Sequence, residues 1–499
     1  MTQENINKIL EIGILLSSEH DVNRLLEQIL SCAMELTHCD AGTLYLLDND
    51  VLRFRIMRNN TLKTYIGGDG TMPQLPPVPL SRENVCALAL LDNRNILVED
   101  VRSCDEYDFS GPMHYDALTK YRTKSMLVVP MRNRQGERLG VLQLINALDE
   151  EGNVCGFVQN MVLLAESVAS QAAVTIQNVR YMKEIKELFH SFVRAMSTAV
   201  DERTPYNGSH PRHMAEYCSR FIDYLNTRSD APHFTPAQKE ELMMSIWLHD
   251  IGKLVTPLEV MNKARRLLPE QYANFSHRME TIRLLAQIRQ LKGDISASER
   301  DVLVRQTQEA SSLVDQANSA VFLKNDLLEE LTKLRDRIYA AEDGSFPHWL
   351  TQEEYDMLSI RRGTLSEAER KIMEQHVEIT DKLLSQIHFS KDMSHVREWA
   401  ASHHELLNGG GYPRRLKGDE IPLQVRIITI LDIFDALVAN DRPYKKALPL
   451  SKALSILREN AEQRGELDPV LTGLFIESRC WEYSETFPGK TDEALQTGV

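Results

Sequence analysis

The spacing of hydrophobic positions changes twice along the chain, and each change predicts a different kind of element. In "DVNRLLEQILSCAMEL", residues 21–36, apolar side chains return every three or four positions, which predicts a helix N-capped by Asp21. "AGTLYLLDNDVLRFRIM" then alternates apolar and polar residues on both sides of Asp48, Asn49 and Asp50, a hairpin-turn composition. "SMLVVPMRNRQGERLGVLQLINA" repeats the theme around Arg134, Gln135 and Gly136. Helix, strands and helix in that order predict an α+β domain over 1–180, an antiparallel sheet with flanking helices.

From 158 to 200 no glycine or proline interrupts a helical pattern. Heptads counted from Met161 place Met161, Leu164, Val168, Gln171, Thr175, Asn178, Met182, Ile185, Phe189, Phe192, Met196 and Ala199 on one seam. Nine of these twelve are apolar, so a connecting helix about 60 Å long is expected at about 1.5 Å per residue. Two uses of the seam stay open: packing on the N-terminal sheet, or a dimer contact. Each can hold for a different half.

The remainder, 187–485, is helical by pattern. Residues 265–363 stand out, because "LKNDLLEELTKLRDRI" puts Leu327, Leu331, Leu334 and Ile338 on one stripe and charges elsewhere. That pattern predicts a solvated helical hairpin inserted in an all-α domain. Ser366 with Glu369 forms a capping box that restarts the domain, and 486–499 reads as a loose tail.

Composition narrows the setting. No apolar run approaches the roughly 20 residues of a membrane span, and the first residues lack a signal-peptide order. Seven scattered cysteines without a C-x-x-C pair suit a reducing cytoplasm. A net charge of −15 argues against a DNA-binding surface. A small anionic ligand in a locally basic pocket is compatible with it.

Eleven of the fifteen histidines fall between 210 and 404, which makes that region the place to look for metal chemistry. "WLHDIGKL" supplies His249, Asp250 and Lys253; "MEQHVEI" supplies His376; "SHHE" supplies His403 and His404. His210 and Asp432 are further candidates. Imidazole with carboxylate suits zinc, manganese, iron, cobalt or nickel and disfavours calcium or magnesium. One carboxylate can bridge two metals about 3.5–4 Å apart, the spacing that clamps a phosphoryl centre. His213, His233 and His277 are read as structural or surface residues, with His277 the rival to His376.

The order "HDIGK", His376, "HHELLNGGGYP", "KGDEIPLQVRI", "LDIFDAL" and "DRPYKKA" resembles the HD-GYP family of metal-dependent phosphohydrolases, over 200–265 and 364–455. The first 180 residues are similar to a GAF sensory domain in topology and in "DAGTLYLLD", "LGVLQLINA" and "SQAAVTIQNVRY". The resemblance implies a phosphodiesterase that converts cyclic di-GMP to pGpG and GMP with two divalent transition metals. Iron or manganese are the first choice; zinc, cobalt and nickel are also accepted. It assigns one metal to His210, His249 and Asp432, the other to His376, His403 and His404, with Asp250 bridging. Lys253 then meets a phosphate or the leaving oxygen, and Gly411 lets backbone approach the dinucleotide beside Tyr412.

Residues 411–446 carry seven Lys/Arg against five Asp/Glu, and Arg442 and Lys445 are the expected phosphate contacts. Asn408 stands where many members have Asp. Tyr206 stands where three-metal members have Glu, which favours two metals. Asn146 and Phe157 match part of the signature of cyclic-nucleotide-binding GAF domains, but Ala147 replaces its lysine, so the GAF ligand is unknown. A homodimer through the GAF domain and connecting helix is expected. A protein partner, a lid or a stalk are the uses open to the insertion. Two other functions compete: a non-catalytic cyclic-dinucleotide receptor or scaffold, and a hydrolase of another cyclic dinucleotide such as cyclic GMP-AMP.

Overall fold

A computed structural model describes residues 21–67, 75–133, 135–203, 209–439 and 448–482, in two compact units, Met1–Leu188 and Phe189–Val499. In the first unit, helix α1 (Val22–Leu36) opens on the Asp21 carboxylate, which accepts the backbone N–H of Asn23 and Arg24. Among the described residues eight antiparallel strands follow: β1 (Cys39–Asp48), β2 (Val51–Asn59), β3 (Thr64–Ile66), β4 (Val78–Pro79), β5 (Ile96–Val98), β6 (Met126–Arg132), β7 (Arg138–Leu148) and β8 (Val154–Cys155). The sheet order is β3-β2-β1-β7-β6-β5, with β4 on β2 and β8 on β7. Asn49 turns the first hairpin with φ +55°.

Period-two alternation sorts the sheet into two faces. Leu44, Leu127, Leu142 and Leu144 pack under α1 and the start of the long helix, against Leu25, Ile29, Val168, Ala172 and Ile176. Tyr45, Met126, Val128 and Val141 face helix α2 (Val85–Asp92) and Phe109 on the other side. Each fully buried leucine or isoleucine here contributes about 1.5–3 kcal/mol over an exposed one. A short helix α3 (Ser110–Thr119) completes the unit.

Helix α4 (Gln159–Asp201) runs 43 residues without a break. Its first half is the sheet-packing one. Its middle leaves Met182, Ile185, Leu188 and Phe192 between 60% and 71% exposed. Val193 and Val200 are buried again in the C-terminal unit.

The second unit begins with α5 (His210–Asn226) and α6 (Pro236–Leu248), the latter started by a Thr235–Gln238 capping box. A 3₁₀ turn (Ile251–Val255) and α7 (Leu258–Met261) lead to the inserted segment, α8 (Pro269–Lys292), α9 (Ala297–Ser319), α10 (Asn325–Asp336) and α11 (Gln352–Leu358). The hairpin of α8 and α9 carries α10 and α11 on one side and shares with them a core of Phe275, Met279, Val314, Leu331, Trp349 and Leu350. Leu331 and Leu334 are buried as the stripe requires. Ile338 is not: α10 ends at Asp336, and Ile338 is 53% exposed in a β-bridge to His348. Two residues past a helix end, the 3.6 period no longer applies.

The chain returns through α12 (Glu367–Glu374), with the Ser366–Glu369 capping box in place, α13 (His376–Leu384), α14 (Val396–Ala400), α15 (Leu423–Val438), α16 (Leu450–Glu462) and α17 (Pro469–Ser478). Phe221, Phe434, Phe475 and Trp481 form the aromatic centre of this unit, with ring centroids 5.1–5.5 Å apart. Among the described residues no helix is long and apolar enough to cross a membrane, and every cysteine is free.

Candidate metal centre

Five segments of the second unit converge on one place. The N-terminus of α5 brings His210, the C-terminus of α6 His249 and Asp250, the N-terminus of α13 His376, the turn after α14 His403 and His404, and the middle of α15 Asp432. The donor atoms of His376, His403 and His404 lie within 4.8 Å of one another, and so do those of His210, His249 and Asp250. Asp250 stands between the two groups. Its Oδ1 is 3.4 Å from His376 Nε2 and 3.8 Å from His403 Nε2, while Oδ2 is 3.3 Å from His249 Nε2 and 4.0 Å from His210 Nε2. Asp432 also spans them, with Oδ1 3.2 Å from His210 Nε2 and Oδ2 3.6 Å from His404 Nδ1.

Backbone geometry chooses which ring nitrogen faces inward. His249, His376 and His403 each donate Nδ1–H to the carbonyl three residues earlier, of Ile246, Met373 and Ala400, at 2.6–2.7 Å. Their Nε2 lone pairs are thereby aimed at the centre. His210 does the same with a carboxylate: its Nδ1 lies 2.6 Å from Asp435 Oδ2. His404 differs, presenting Nδ1.

The result is a cluster of acceptors with too few protons. His210 Nε2 and His249 Nε2 are 3.3 Å apart, and His376 Nε2 and His403 Nε2 are 3.4 Å apart. The buried Asp250 Oδ1 accepts no hydrogen bond. Converging lone pairs of this kind are costly unless a cation sits among them, so the residues fit divalent transition metals. The electrostatics agree. Burial, which would raise the Asp250 carboxyl, is outweighed by Lys253 and the imidazoles, which hold it well below the carboxylate range. Burial likewise opposes ionisation of Asp432, but His210 and His404 hold it well below. Burial pushes His376 down, His403 well down, and His404 to about 3, so all three rings stay neutral. His210 is the exception: against the same burial, Asp432 and Asp435 raise it to about 10, so without a metal its Nε2 carries a proton facing Asp432, which a bound cation would displace.

Lys253, on the 3₁₀ turn, places Nζ against Asp250 Oδ2. The turn sits tight on α13: a Cβ on Gly252 would lie 1.9 Å from the His376 carbonyl oxygen. Gly411 is as constrained, since a Cβ there would meet the His404 carbonyl oxygen and the Leu406 nitrogen at 2.4 Å. That approach lays the Tyr412 ring over His404, centroids 4.8 Å apart, and lets Tyr412 N–H donate to the His404 carbonyl at 3.2 Å. Asn408 accepts Gly410 N–H at 2.8 Å within the loop and donates to the Arg464 carbonyl at 3.2 Å, tying the loop to the turn after α16. Arg442, Lys445 and Tyr206 lie outside the described residues.

Of the histidines read as structural, His233 bonds the Arg228 carbonyl and His277 sits on α8 in the insertion. His213 stands behind the centre, its Nδ1 3.3 Å from Asp435 Oδ1. Three acids escaped the sequence reading. Asp435 orients His210. Glu405, buried beside the histidine pair, accepts Arg414 N–H at 2.7 Å and Leu416 N–H at 2.9 Å and so braces the glycine loop. Asp201 ends α4, and burial pushes its carboxyl up to about 7 against the pull of His210. Asp435 had a signal, standing one helical turn after Asp432, and Glu405 stood in the quoted "HHE"; Asp201 had none.

Comparison with known proteins meets this geometry. An HD-domain model matches residues 353–471 and a GAF-domain model residues 21–176. The 3'3'-cGAMP-specific phosphodiesterase 3 of Vibrio cholerae is 47% identical over 98 residues, 20% of this chain and 20% of that protein. The cyclic di-GMP phosphodiesterase of Thermotoga maritima is 41% identical over 139 residues, 28% of this chain and 36% of that one. The cyclic di-GMP phosphodiesterase response regulator RpfG of Xanthomonas campestris pv. campestris is 38% identical over 128 residues, 25% and 32%. The matched parts thus span between 20% and 36% of these relatives' own lengths. The chain carries a GAF domain over 21–176 followed by an HD domain over 353–471, and part of it is similar to cyclic-dinucleotide phosphodiesterases.

Proposed function

We propose that this protein hydrolyses a phosphodiester bond of cyclic di-GMP, to pGpG and onward to GMP, in the cytoplasm and under control of its GAF domain. The observation that carries the reading is Asp250, one carboxylate with an oxygen turned to each of two ligand groups. His210, His249 and Asp432 would hold one metal and His376, His403 and His404 the other, with Asp250 shared between them. Iron or manganese in these positions supplies Lewis acidity towards phosphoryl oxygens and activates water for attack on phosphorus.

The chain's own groups do the rest. Lys253 offers an ammonium to the scissile phosphate or the departing 3′ oxygen. Tyr412 presents its ring face to a base, with its phenol kept protonated by burial and then by the Asp432 charge. Arg442 and Lys445 take the second phosphate. The exposed stripe of Met182, Ile185, Leu188 and Phe192 on α4 pairs with the same stripe of a second copy.

One observation favours a second substrate: the relative matched at 47% identity is named for 3'3'-cGAMP. Side-by-side turnover of the two cyclic dinucleotides by protein loaded anaerobically with iron or manganese separates them. Release of pGpG that disappears in Asp250→Ala is expected. No hydrolysis of either dinucleotide by the fully metal-loaded protein would sink the proposal.

A further inference from the structure

Helix α4, which starts in the N-terminal unit, ends against every element that carries ligands of the centre except α5 and α15. Val193 and Val200 share a core with Met244 and Leu248 of α6, Ile251 of the 3₁₀ turn, Leu384 of α13 and Ala400 of α14. Two residues past its end, Arg203 reaches the turn itself. Its Nη1 donates to the Lys253 carbonyl, and its Nη2 donates to the Thr256 carbonyl at 3.1 Å. The start of the turn is held by Thr380, whose Oγ1 accepts Gly252 N–H and donates to the His249 carbonyl, both at 3.0 Å. Thr380 belongs to α13, so that grip is tied to the metal ligands. The Arg203 grip is tied to α4.

We infer that Arg203 is a positioning residue for Lys253, and the point at which the connecting helix sets the ammonium against Asp250 and the phosphate. A planar guanidinium with two parallel donors can tie two carbonyls of one turn; a lysine at 203 is a point charge and holds only one. Moving the end of α4 moves this fork, the fork moves the Lys253 carbonyl, and Lys253 Nζ shifts along Asp250 Oδ2. His210, His249, His376 and His403, pinned through their own Nδ1 bonds, stay where they are. The inference rests on the role proposed for Lys253.

The test uses full-length, metal-loaded protein carrying Arg203→Met, Arg203→Lys, Lys253→Met, or Arg203→Met with Lys253→Met. Arg203→Met is expected to lower kcat for cyclic di-GMP about 10- to 100-fold, the range of a 1 Å misplacement, with KM and metal content kept. Arg203→Lys falls between. In the Lys253→Met background the same change at 203 alters kcat less than about twofold, because the two residues act through one group. Additive losses, or a loss that follows metal content, overturn the assignment. Deuterium exchange is read in parallel at the amides of Lys253 and Thr256, which bond Asp250 O at 2.9 Å and Lys253 O at 3.1 Å. Faster exchange there in Arg203→Met, with α13 amides unchanged, supports it; unchanged exchange refutes it even if the wild-type protein hydrolyses no cyclic dinucleotide.

Discussion

Each unit buries a cluster of polar side chains, and the two clusters are opposite in kind. In the N-terminal unit Tyr121 Oη donates to Asp40 Oδ2 at 2.7 Å and accepts Asn146 Nδ2–H at 3.0 Å. Asn146 also donates to the Arg122 carbonyl and accepts Lys124 N–H, both at 2.8 Å, and Asp40 Oδ1 accepts Thr61 N–H at 3.2 Å. Every polar atom has its partner inside the fold. In the C-terminal unit the imidazole lone pairs face one another and Asp250 Oδ1 has no donor. A closed network stiffens a core, while an open one asks for a ligand. The contrast also explains Asn146: the amide that matches a nucleotide-binding signature is spent on holding the segment 121–124 that leads into β6.

The largest test of this contrast is Asp250→Ala. It removes the carboxylate shared by both ligand groups, so turnover should vanish and metal analysis should find fewer than two ions per chain. Retention of two ions with full turnover would place the centre elsewhere. Next is Asp435→Asn, which takes the charge behind His210 while leaving the core filled. Loss of about 10- to 100-fold in metal affinity is expected, the usual effect of removing a partner of a ligating histidine, and isothermal titration would measure it.

Acid should act on the open cluster in the metal-free protein. His376, His403 and His404 have folded-state values below the ordinary 6.5, His404 at about 3. Below pH 6.5 the unfolded chain takes up protons that these rings refuse, so stability falls as pH falls. Each ring removes up to about 1.4 kcal/mol per pH unit in that window. His210, raised to about 10, acts the other way and only above pH 6.5. Chemical denaturation at pH 7 and pH 5 reads the difference, and metal should flatten it. The smallest effect belongs to the closed cluster. Tyr121→Phe strands Asp40 and Asn146 and should cost the N-terminal unit about 1–3 kcal/mol, seen as a lower calorimetric midpoint, with metal content unchanged.

Short-range interactions are what the amino-acid order alone could specify here. The Asp21 cap, the Asn49 turn, the Ser366–Glu369 box and the uninterrupted α4 are all legible because their partners lie within about four residues. The order of His, His-Asp, His, His-His and Asp was legible too, as a resemblance. Folding assigned the roles. Asp432 and Asp435 are one turn apart on α15, yet one faces the centre and the other braces His210 from 225 positions away. Arg203, Glu405 and Asp201 gain meaning only when distant backbone arrives beside them, and Ile338 loses its place because the helix stops first. Burial and pairing across the chain depend on which surfaces meet, and a local pattern holds no record of that.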